Sequence, residues 1–224
     1  MLHRIALFSC HHGQQVSVSP ANPEVTVASL QTRVVNILKD PKAEWPVIAA
    51  ESTDIGRLYR EYIIPLSAIP VVAGFIGTFL LTGITGTVGM MGEGLMWVLA
   101  FSLVSYVAGL VLIYLDAVII EWLAPKFKSS GTRVDALKIV AYSMTPAWIA
   151  GILNVVPLLG MLAIFAALYA IYLCYLGLPP VMKTPQDQVV IFMIVAAVVI
   201  IVVHIVISAI LASLMFGGAV TMLR

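Results

Sequence analysis

The sequence has little charge for its length, and this scarcity excludes most soluble folds. Only 10% of the 224 residues are charged, whereas 61% are hydrophobic, and the mean hydropathy is +1.06. A soluble domain carries about 25% charged residues. The composition therefore indicates a membrane protein, with the lipid bilayer as its surroundings. The net charge of +1 gives no reason to expect a nucleic-acid partner.

Cysteine is also scarce, and the sequence contains no recognisable catalytic motif. Cys10 and Cys174 do not make a disulfide framework, since Cys174 lies within an apolar run. No nucleophile elbow, phosphate-binding loop or pair of spaced histidines occurs. Cys10, His11 and His12 are adjacent in a weakly patterned tail, which does not make a fixed tetrahedral metal site. We therefore expect no enzymatic activity, no cofactor and no metal.

Long hydrophobic runs dominate what is present. Each is close to the ~20 residues that cross ~30 Å of hydrocarbon as a helix, and irregular backbone cannot face lipid. The sequence therefore predicts an all-α polytopic membrane protein with five transmembrane helices. The runs are residues 62–83, 95–120, 139–156, 158–178 and 189–216. The third and fourth form a tight hairpin if both cross; the alternative is one long kinked segment. Residues 217–224 are expected to be an outer tail.

The lysines and arginines predict the orientation of the chain. Six of the twelve precede the first run, four lie between the second and third, and one lies between the fourth and fifth. Only Arg224 remains for the other side. Cytoplasmic loops carry an excess of these residues. We therefore expect the amino terminus in the cytoplasm and the carboxyl terminus outside the cell membrane.

The segment before the first run divides into two parts. Residues 1–27 have no sustained period and are expected to be a disordered tail or a start-site extension. Residues 28–61 form a cytoplasmic amphipathic segment, whose apolar stripe lies on one helical face. That stripe is Leu30, Val34, Ile37 and Leu38. We interpret this helix as lying on the membrane surface with Trp45 as an interfacial anchor. The alternative is docking on a partner or on loops of its own chain.

The second run contains two carboxylates, Asp116 and Glu121. Insertion of a carboxylate near the middle of the membrane costs about 2.5–3.5 kcal/mol of free energy. Asp116 is therefore expected to face the bundle interior, near the hydroxyls of Tyr142 and Ser143. This position fits either an ion or proton site or a buried polar clasp near the interface. His204, within the last run, is interpreted as a hydrogen-bonding group, since its own span offers no second titratable group.

Two prolines interrupt helical hydrogen bonding inside predicted spans, namely Pro70 and Pro146. Hydroxyls such as Thr145 can take up the carbonyls that proline leaves free. This pattern predicts either a static kink or a hinge that lines a polar cavity. Nearby small residues permit close approach of two helices. These are Gly74, Gly77, Ala147 and Gly151.

A weak internal repeat relates the ends of two runs. The second run ends with Ile113-Tyr114-Leu115 and then Leu123-Ala124-Pro125. The fourth run ends with the similar segments Ile171-Tyr172-Leu173 and then Leu178-Pro179-Pro180. Two hairpins in one orientation would be related by an axis along the membrane normal.

Several of these segments together resemble the Yip domain of bacterial inner-membrane proteins. They are Lys42–Ile48, Leu123–Phe127, Ala136–Ser143, Thr145–Trp148, Tyr175–Pro179 and Met182–Pro185. The resemblance covers about residues 28–216 and implies five spans with a cytoplasmic amino terminus. Eukaryotic relatives bind prenylated GTPases in vesicle traffic, a process that bacteria lack. The family supplies no catalytic residues, and Lys128-Ser129-Ser130 replaces a commonly glycine-rich turn.

The leading hypothesis is a non-enzymatic membrane scaffold or membrane-organising protein. Its cytoplasmic face, with Arg133, Lys138 and Lys183, would engage lipid headgroups or a protein partner. The alternative is a small ion or solute channel or transporter with a polar site around Asp116 and the Pro146 kink. A homo-oligomer would be compatible with either hypothesis.

Overall fold

A computed structural model describes residues 23–84 and 91–221 as helices joined by turns, with no strand in these ranges. The helices are α1 Pro23–Lys39, α2 Pro41–Ala50, α3 Ile55–Leu58, α4 Ile64–Ile84, α5 Met91–Leu123, α6 Arg133–Ser143, α7 Thr145–Ala150, α8 Ala163–Met182 and α9 Val189–Thr221. A π-helical turn, Tyr59–Ile63, joins α3 to α4.

Among the described residues, five segments are long and apolar enough to cross a membrane. We number them spans 1 to 5: Ile55–Leu81, Val98–Phe127, Arg133–Val155, Leu159–Met182 and Val189–Leu211. An all-α polytopic fold with five membrane helices is thereby confirmed. Residues 23–27, expected in a disordered tail, belong to α1, and residues 217–221 continue α9. The rest of both expected tails, including Cys10, His11 and His12, lies outside the described residues.

Span 3 is a broken helix at the centre of the bundle. Its α6 ends at Ser143, Met144 forms a turn, and α7 begins at Thr145 with Pro146 in its first turn. Proline is well placed there, because the first helical N–H groups have no intrahelical partner. A 3₁₀ turn, Gly151–Val155, follows, and a second 3₁₀ turn leads into α8. The kink expected at Pro146 is therefore a helix break two residues earlier, at Met144.

Span 1 packs closely on the carboxyl-terminal part of span 3. A Cβ on Gly77 would lie 2.3 Å from the carbonyl oxygen of Asn154, and one on Gly151 would lie 2.5 Å from Cβ of Pro70. Both glycines therefore occur where only a hydrogen atom fits. Gly74, one turn from Gly77, has nothing within 4 Å of its would-be Cβ. Only Gly77 of this pair makes the close contact that the small-residue pattern predicts.

The α1–α2 hairpin packs against the spans of its own chain. Asp40 Oδ1 accepts a hydrogen bond of 3.2 Å from the Ala43 N–H and so fixes the start of α2. Ile37 is fully buried, and the neighbouring apolar side chains pack on the same core. Tyr169 of α8 donates a 2.8 Å hydrogen bond to the Leu38 carbonyl. The predicted apolar stripe is thus the packed face, and it contacts the bundle instead of the bilayer.

The turns that follow spans 2 and 4 are alike and touch each other. Each contains a lysine in the left-handed region, Lys128 with φ of 56° and Lys183 with φ of 53°. Left-handed residues commonly end helices. The next residues, Ser129 and Thr184, share a buried hydrogen bond of 2.8 Å. The two turns therefore form one surface, which we call the basic end and define by Lys126, Lys128, Arg133 and Lys183.

Candidate functional site

Asp116 and His204 form a polar pair between spans 2 and 5. Asp116 Oδ1 and His204 Nε2 are 2.9 Å apart, and their side chains are 13% and 38% exposed. An ionisable side chain within a membrane usually pairs with another such group. Sequence reasoning gave Asp116 a different set of neighbours and left His204 without a titratable partner. The residues are 88 positions apart, and only the crossing of α5 and α9 brings them together.

Tyr142 and Thr145 belong to a separate cluster with span 1. Thr145 is fully buried, and its hydroxyl is 2.6 Å from the hydroxyl of Tyr62. The ring of Tyr62 lies 4.5 Å from that of Tyr142, centroid to centroid. Tyr142 also meets Trp45 edge to face at 6.3 Å. The structure therefore does not bring Tyr142 or Thr145 to Asp116.

Trp45 is a packing residue of the interior. Its side chain is 1% exposed, and a Cβ on Gly177 would lie 2.6 Å from its ring. The expectation that Trp45 anchors the chain at the lipid interface is therefore wrong, because its indole does not reach the surface. Trp122, near the end of span 2, is 61% exposed. Lys126 Nζ lies 3.6 Å from its ring centroid. A tryptophan and a lysine at the end of a span are typical of the membrane interface. Trp122 could therefore have been identified from the sequence as an interfacial residue.

Arg33 connects both parts of the α1–α2 hairpin to span 3. Its guanidinium donates a 2.6 Å hydrogen bond to Glu44 Oε1, another to Glu51 Oε2, and lies over the Tyr142 ring. Burial acts to lower the Arg33 pKa, but Tyr142 and the two carboxylates raise it more, so the pKa lies above its ordinary value. Arg33 therefore stays charged, and its charge is matched inside the protein.

Lys138 is buried, although it was expected on the exposed cytoplasmic face. Its side chain is 4% exposed, and Nζ donates to the carbonyl oxygens of Ile48 at 3.0 Å and Glu51 at 2.7 Å. The last carbonyls of a helix have no intrahelical partner, so a cation there stabilises the helix end. Lys138 thus holds the end of α2 on span 3 and is not available to a partner.

Arg133 and Glu121 join spans 2 and 3. Arg133 Nε donates to Glu121 Oε2 at 2.7 Å, and its Nη1 donates to the Tyr114 hydroxyl at 3.0 Å. A capping box between Thr132 and Asp135 fixes the start of α6 beside this pair. Lys183 differs from Arg133 and Lys138, because it is exposed and has no ion pair among the described residues. Of the basic residues predicted to face a partner, only Lys183 is free to do so.

A cavity of about 870 Å³ lies between spans 2, 3, 4 and 5. Asp116 and Ser143 line it together with apolar side chains of α8 and α9. Ser143 is 6% exposed, and its Oγ has no nitrogen or oxygen partner among the described residues. The Cys174 thiol lies beside that hydroxyl. Asp116 and Ser143 thus both belong to the lining of one cavity, and no hydrogen bond joins them among the described residues.

A search of the described residues finds no group of three or more histidine, cysteine, aspartate or glutamate side chains that could hold a metal ion. The polar side chains of the spans instead contact one another or line the cavity. Together, the five helices and the polar contacts define an all-α, multi-pass membrane protein in which the two acidic residues of span 2, Asp116 and Glu121, are paired within the chain.

The chain belongs to the Yip1 domain family, since residues 35–220 match that domain. The resemblance inferred from the sequence is thereby confirmed. The chain is 25% identical over 166 residues to "Inner membrane protein YohC" of Escherichia coli K12, a match that covers 70% of this chain and 82% of YohC. The YohC protein of Escherichia coli O6:H1 matches equally well. No solved structure matches the chain significantly.

Proposed function

We propose that this protein is a non-enzymatic scaffold of the inner membrane that engages anionic lipid headgroups or a protein partner through its basic end. The observation that carries this proposal is a group of exposed lysines beside Trp122. Lys126, Lys128 and Lys183 are exposed and have no ion pair among the described residues. The proposal includes a cytoplasmic amino terminus, because basic loops remain on that side of the membrane.

Three other basic residues form contacts within the chain, and this supports a separate role for the exposed lysines. Arg33, Arg133 and Lys138 are each bound to partners of the same chain. Arg33 and Lys138 stabilise the junction of the hairpin with the spans, and Arg133 joins spans 2 and 3. At the basic end the three exposed lysines are therefore the accessible positive charge. Lysines near a membrane surface attract anionic lipid by about 1 kcal/mol each. Three such residues are enough to produce a measurable lipid preference.

The test replaces Lys126, Lys128 and Lys183 together by glutamine. Protein purified from membranes that contain phosphatidylglycerol and phosphatidylethanolamine is analysed for retained lipid and for captured proteins. We expect the variant to lose the enrichment of phosphatidylglycerol, or to lose a captured protein, that the unaltered chain shows. Lys39→Gln with Lys42→Gln is the control, since both lysines are exposed but lie at the end of α1 and the start of α2. Identical profiles for the triple variant and the unaltered chain would contradict the proposal.

A second candidate function is transport of a small ion or solute past Asp116. The Asp116–His204 pair favours it, because ionisable groups inside membranes often mark transport pathways. The apolar lining of the adjoining cavity argues for a ligand that is not a hydrated ion. Ion flux in liposomes that contain the protein is the direct measurement, with Asp116→Asn as the comparison. Absence of flux with both proteins would eliminate this candidate.

A further inference from the structure

We propose that the cavity between spans 2, 3, 4 and 5 binds a lipophilic protonated amine whose ammonium group lies at Asp116. Its volume of about 870 Å³ falls within the range of small-molecule sites, about 300–1,000 Å³. Binding there requires neither a partner at the basic end nor transport. The inference can therefore fail or succeed separately from both functions proposed above.

Small side chains create the space. Alanines from three helices line the cavity: Ala147 of α7, Ala167 and Ala170 of α8, and Ala196 and Ala197 of α9. A larger residue at any of these positions would extend into the space between the helices. The interior of a protein is otherwise close-packed, with few voids larger than water. A space of this size between four spans is therefore a site that an apolar molecule can fill.

The cavity opens to the bilayer between α8 and α9. Leu168 and Ile171 of α8 line it and are 58% and 57% exposed. Ile194 and Ile201 on the facing side of α9 also line it and are 59% and 56% exposed. Side chains that belong both to the cavity wall and to the outer surface of the spans mark a lateral opening. A ligand that enters here must already be dissolved in the membrane, so its body is apolar.

One acceptor without a partner occurs in this apolar wall. Asp116 Oδ1 contacts His204, whereas Oδ2 has no hydrogen bond among the described residues. Ser143 Oγ is fully buried beside the Cys174 thiol and is not accessible from the cavity. A carboxylate in apolar surroundings is normally paired with a positive charge or a hydrogen-bond donor. The partner that Oδ2 lacks is therefore a donor.

The charge of the wall selects the kind of donor. Among the described lining residues none is cationic; besides Asp116, the titratable ones are Cys174, Tyr172 and Tyr175. Tyr59 and His204 are titratable neighbours of Asp116 outside the cavity lining. An ammonium group has three donors, no acceptor and a positive charge, so it donates to Asp116 Oδ2 and balances the carboxylate. An alcohol would offer one donor and no charge, and a fatty acid would add a second negative charge.

His204 is compatible with this ligand. When its Nε2 carries the proton, the neutral imidazole donates to Oδ1 and leaves the charge of the carboxylate in place. The ammonium then binds Oδ2 from the cavity side. The pair thus positions the carboxylate without occupying the oxygen that the ligand needs.

The experiment compares three probes with one chain length: dodecylamine, dodecanol and dodecanoate. Saturation binding is measured on the full chain in phosphatidylcholine nanodiscs. We expect dodecylamine to bind at least tenfold more tightly than dodecanol, and dodecanoate to show no saturable binding. Asp116→Asn should reduce dodecylamine affinity to that of dodecanol, because the amide can still bond to His204 but carries no charge. Ser143→Ala should leave the dodecylamine affinity unchanged, because the Ser143 hydroxyl is not accessible from the cavity.

Filling the cavity gives the second arm of the test. Ala147→Phe with Ala197→Phe should abolish binding of all three probes, whereas Val107→Phe should not. Val107 is 52% exposed on span 2 and does not line the cavity. Gel filtration confirms that each variant is folded, and Asp116→Asn keeps the test valid if the double variant is not. Equal affinity for amine and alcohol, or an equal loss with Val107→Phe, would overturn the proposal.

Discussion

Spans 3 and 5 show how the same membrane accommodates two very different helices. Within span 3, 67% of the most apolar window is buried and its mean hydropathy is 1.4; for span 5 the figures are 11% and 3.4. Span 3 carries Tyr142, Ser143 and Thr145 because protein surrounds it. Aromatic rings contact Tyr142, and the Tyr62 hydroxyl bonds to Thr145. Span 5 faces lipid along most of its length and admits one ionisable group, His204. Polarity in these spans therefore follows burial.

The two spans are also held in different ways. Span 3 is fixed by a buried lysine, by close glycine contacts and by the aromatic cluster around Tyr142. Span 5 is joined to the rest by the Asp116–His204 pair and by stacking of Phe127 on Phe192, with ring centroids 5.0 Å apart. The comparison predicts that single substitutions in the contacts of span 3 are costly, whereas those in span 5 are mild.

The largest effect is expected for Lys138→Met. Loss of the ammonium removes two hydrogen bonds, to the Ile48 carbonyl at 3.0 Å and to the Glu51 carbonyl at 2.7 Å, and a hydrogen bond to a charged group contributes about 1.5–3 kcal/mol. We expect a total loss of about 2–4 kcal/mol in unfolding free energy, since the methionine recovers some apolar packing. Unfolding in a titration with dodecyl sulfate, followed by circular dichroism, measures it. Lys183→Met is the control and should change stability by less than about 0.5 kcal/mol, as exposed substitutions do. Equal effects would refute the buried role of Lys138.

A smaller loss is expected for Gly77→Ala, which tests the contact of span 1 with span 3. The added methyl group would meet the Asn154 carbonyl, and such overpacking costs about 1–3 kcal/mol. The same unfolding titration reports the change. Gly74→Ala is matched in chemistry and helix, but its methyl group meets nothing within 4 Å. It should be neutral or stabilising by up to about 1 kcal/mol. Destabilisation by both substitutions would mean that the helix itself, and not the contact, requires glycine.

The smallest effect is expected at span 5. A double-mutant cycle with Asp116→Ala and His204→Ala should give a coupling energy of about 0.6 kcal/mol, and no more than about 1.7 kcal/mol, as for other hydrogen bonds within membranes. The cycle uses the same titration, with each single variant as the internal control. A coupling energy larger than the effect of Lys138→Met would reverse the ranking of the two spans.

The number of spans could be predicted because it depends on local composition, and the family could be recognised from short segments. The contacts between spans could not. Asp116 and His204 are 88 residues apart, and hydropathy does not reveal at what height two long helices cross. Trp45 was predicted at the lipid interface for a similar reason. It lies beside a charged residue, and only the fold shows that Gly177 leaves room for its ring.

The break in span 3 was partly predictable. Pro146 marks a place where the helix cannot continue unchanged, and the structure has its break at Met144, within one turn of it. The cavity left no comparable signal. Its alanines occur on three helices, and alanine is common in helices of every kind, so their convergence appears only when the spans are assembled.

The burial of Trp45 against Gly177 also sets an order of assembly. The tryptophan is synthesised long before the glycine that accommodates it, and the intervening chain takes roughly 7–26 s to make at about 5–20 residues per second. During that interval the apolar face of the α1–α2 hairpin has no complete bundle to pack on. The hairpin therefore reaches its final position only after span 4 has been made, although it leaves the ribosome before the spans.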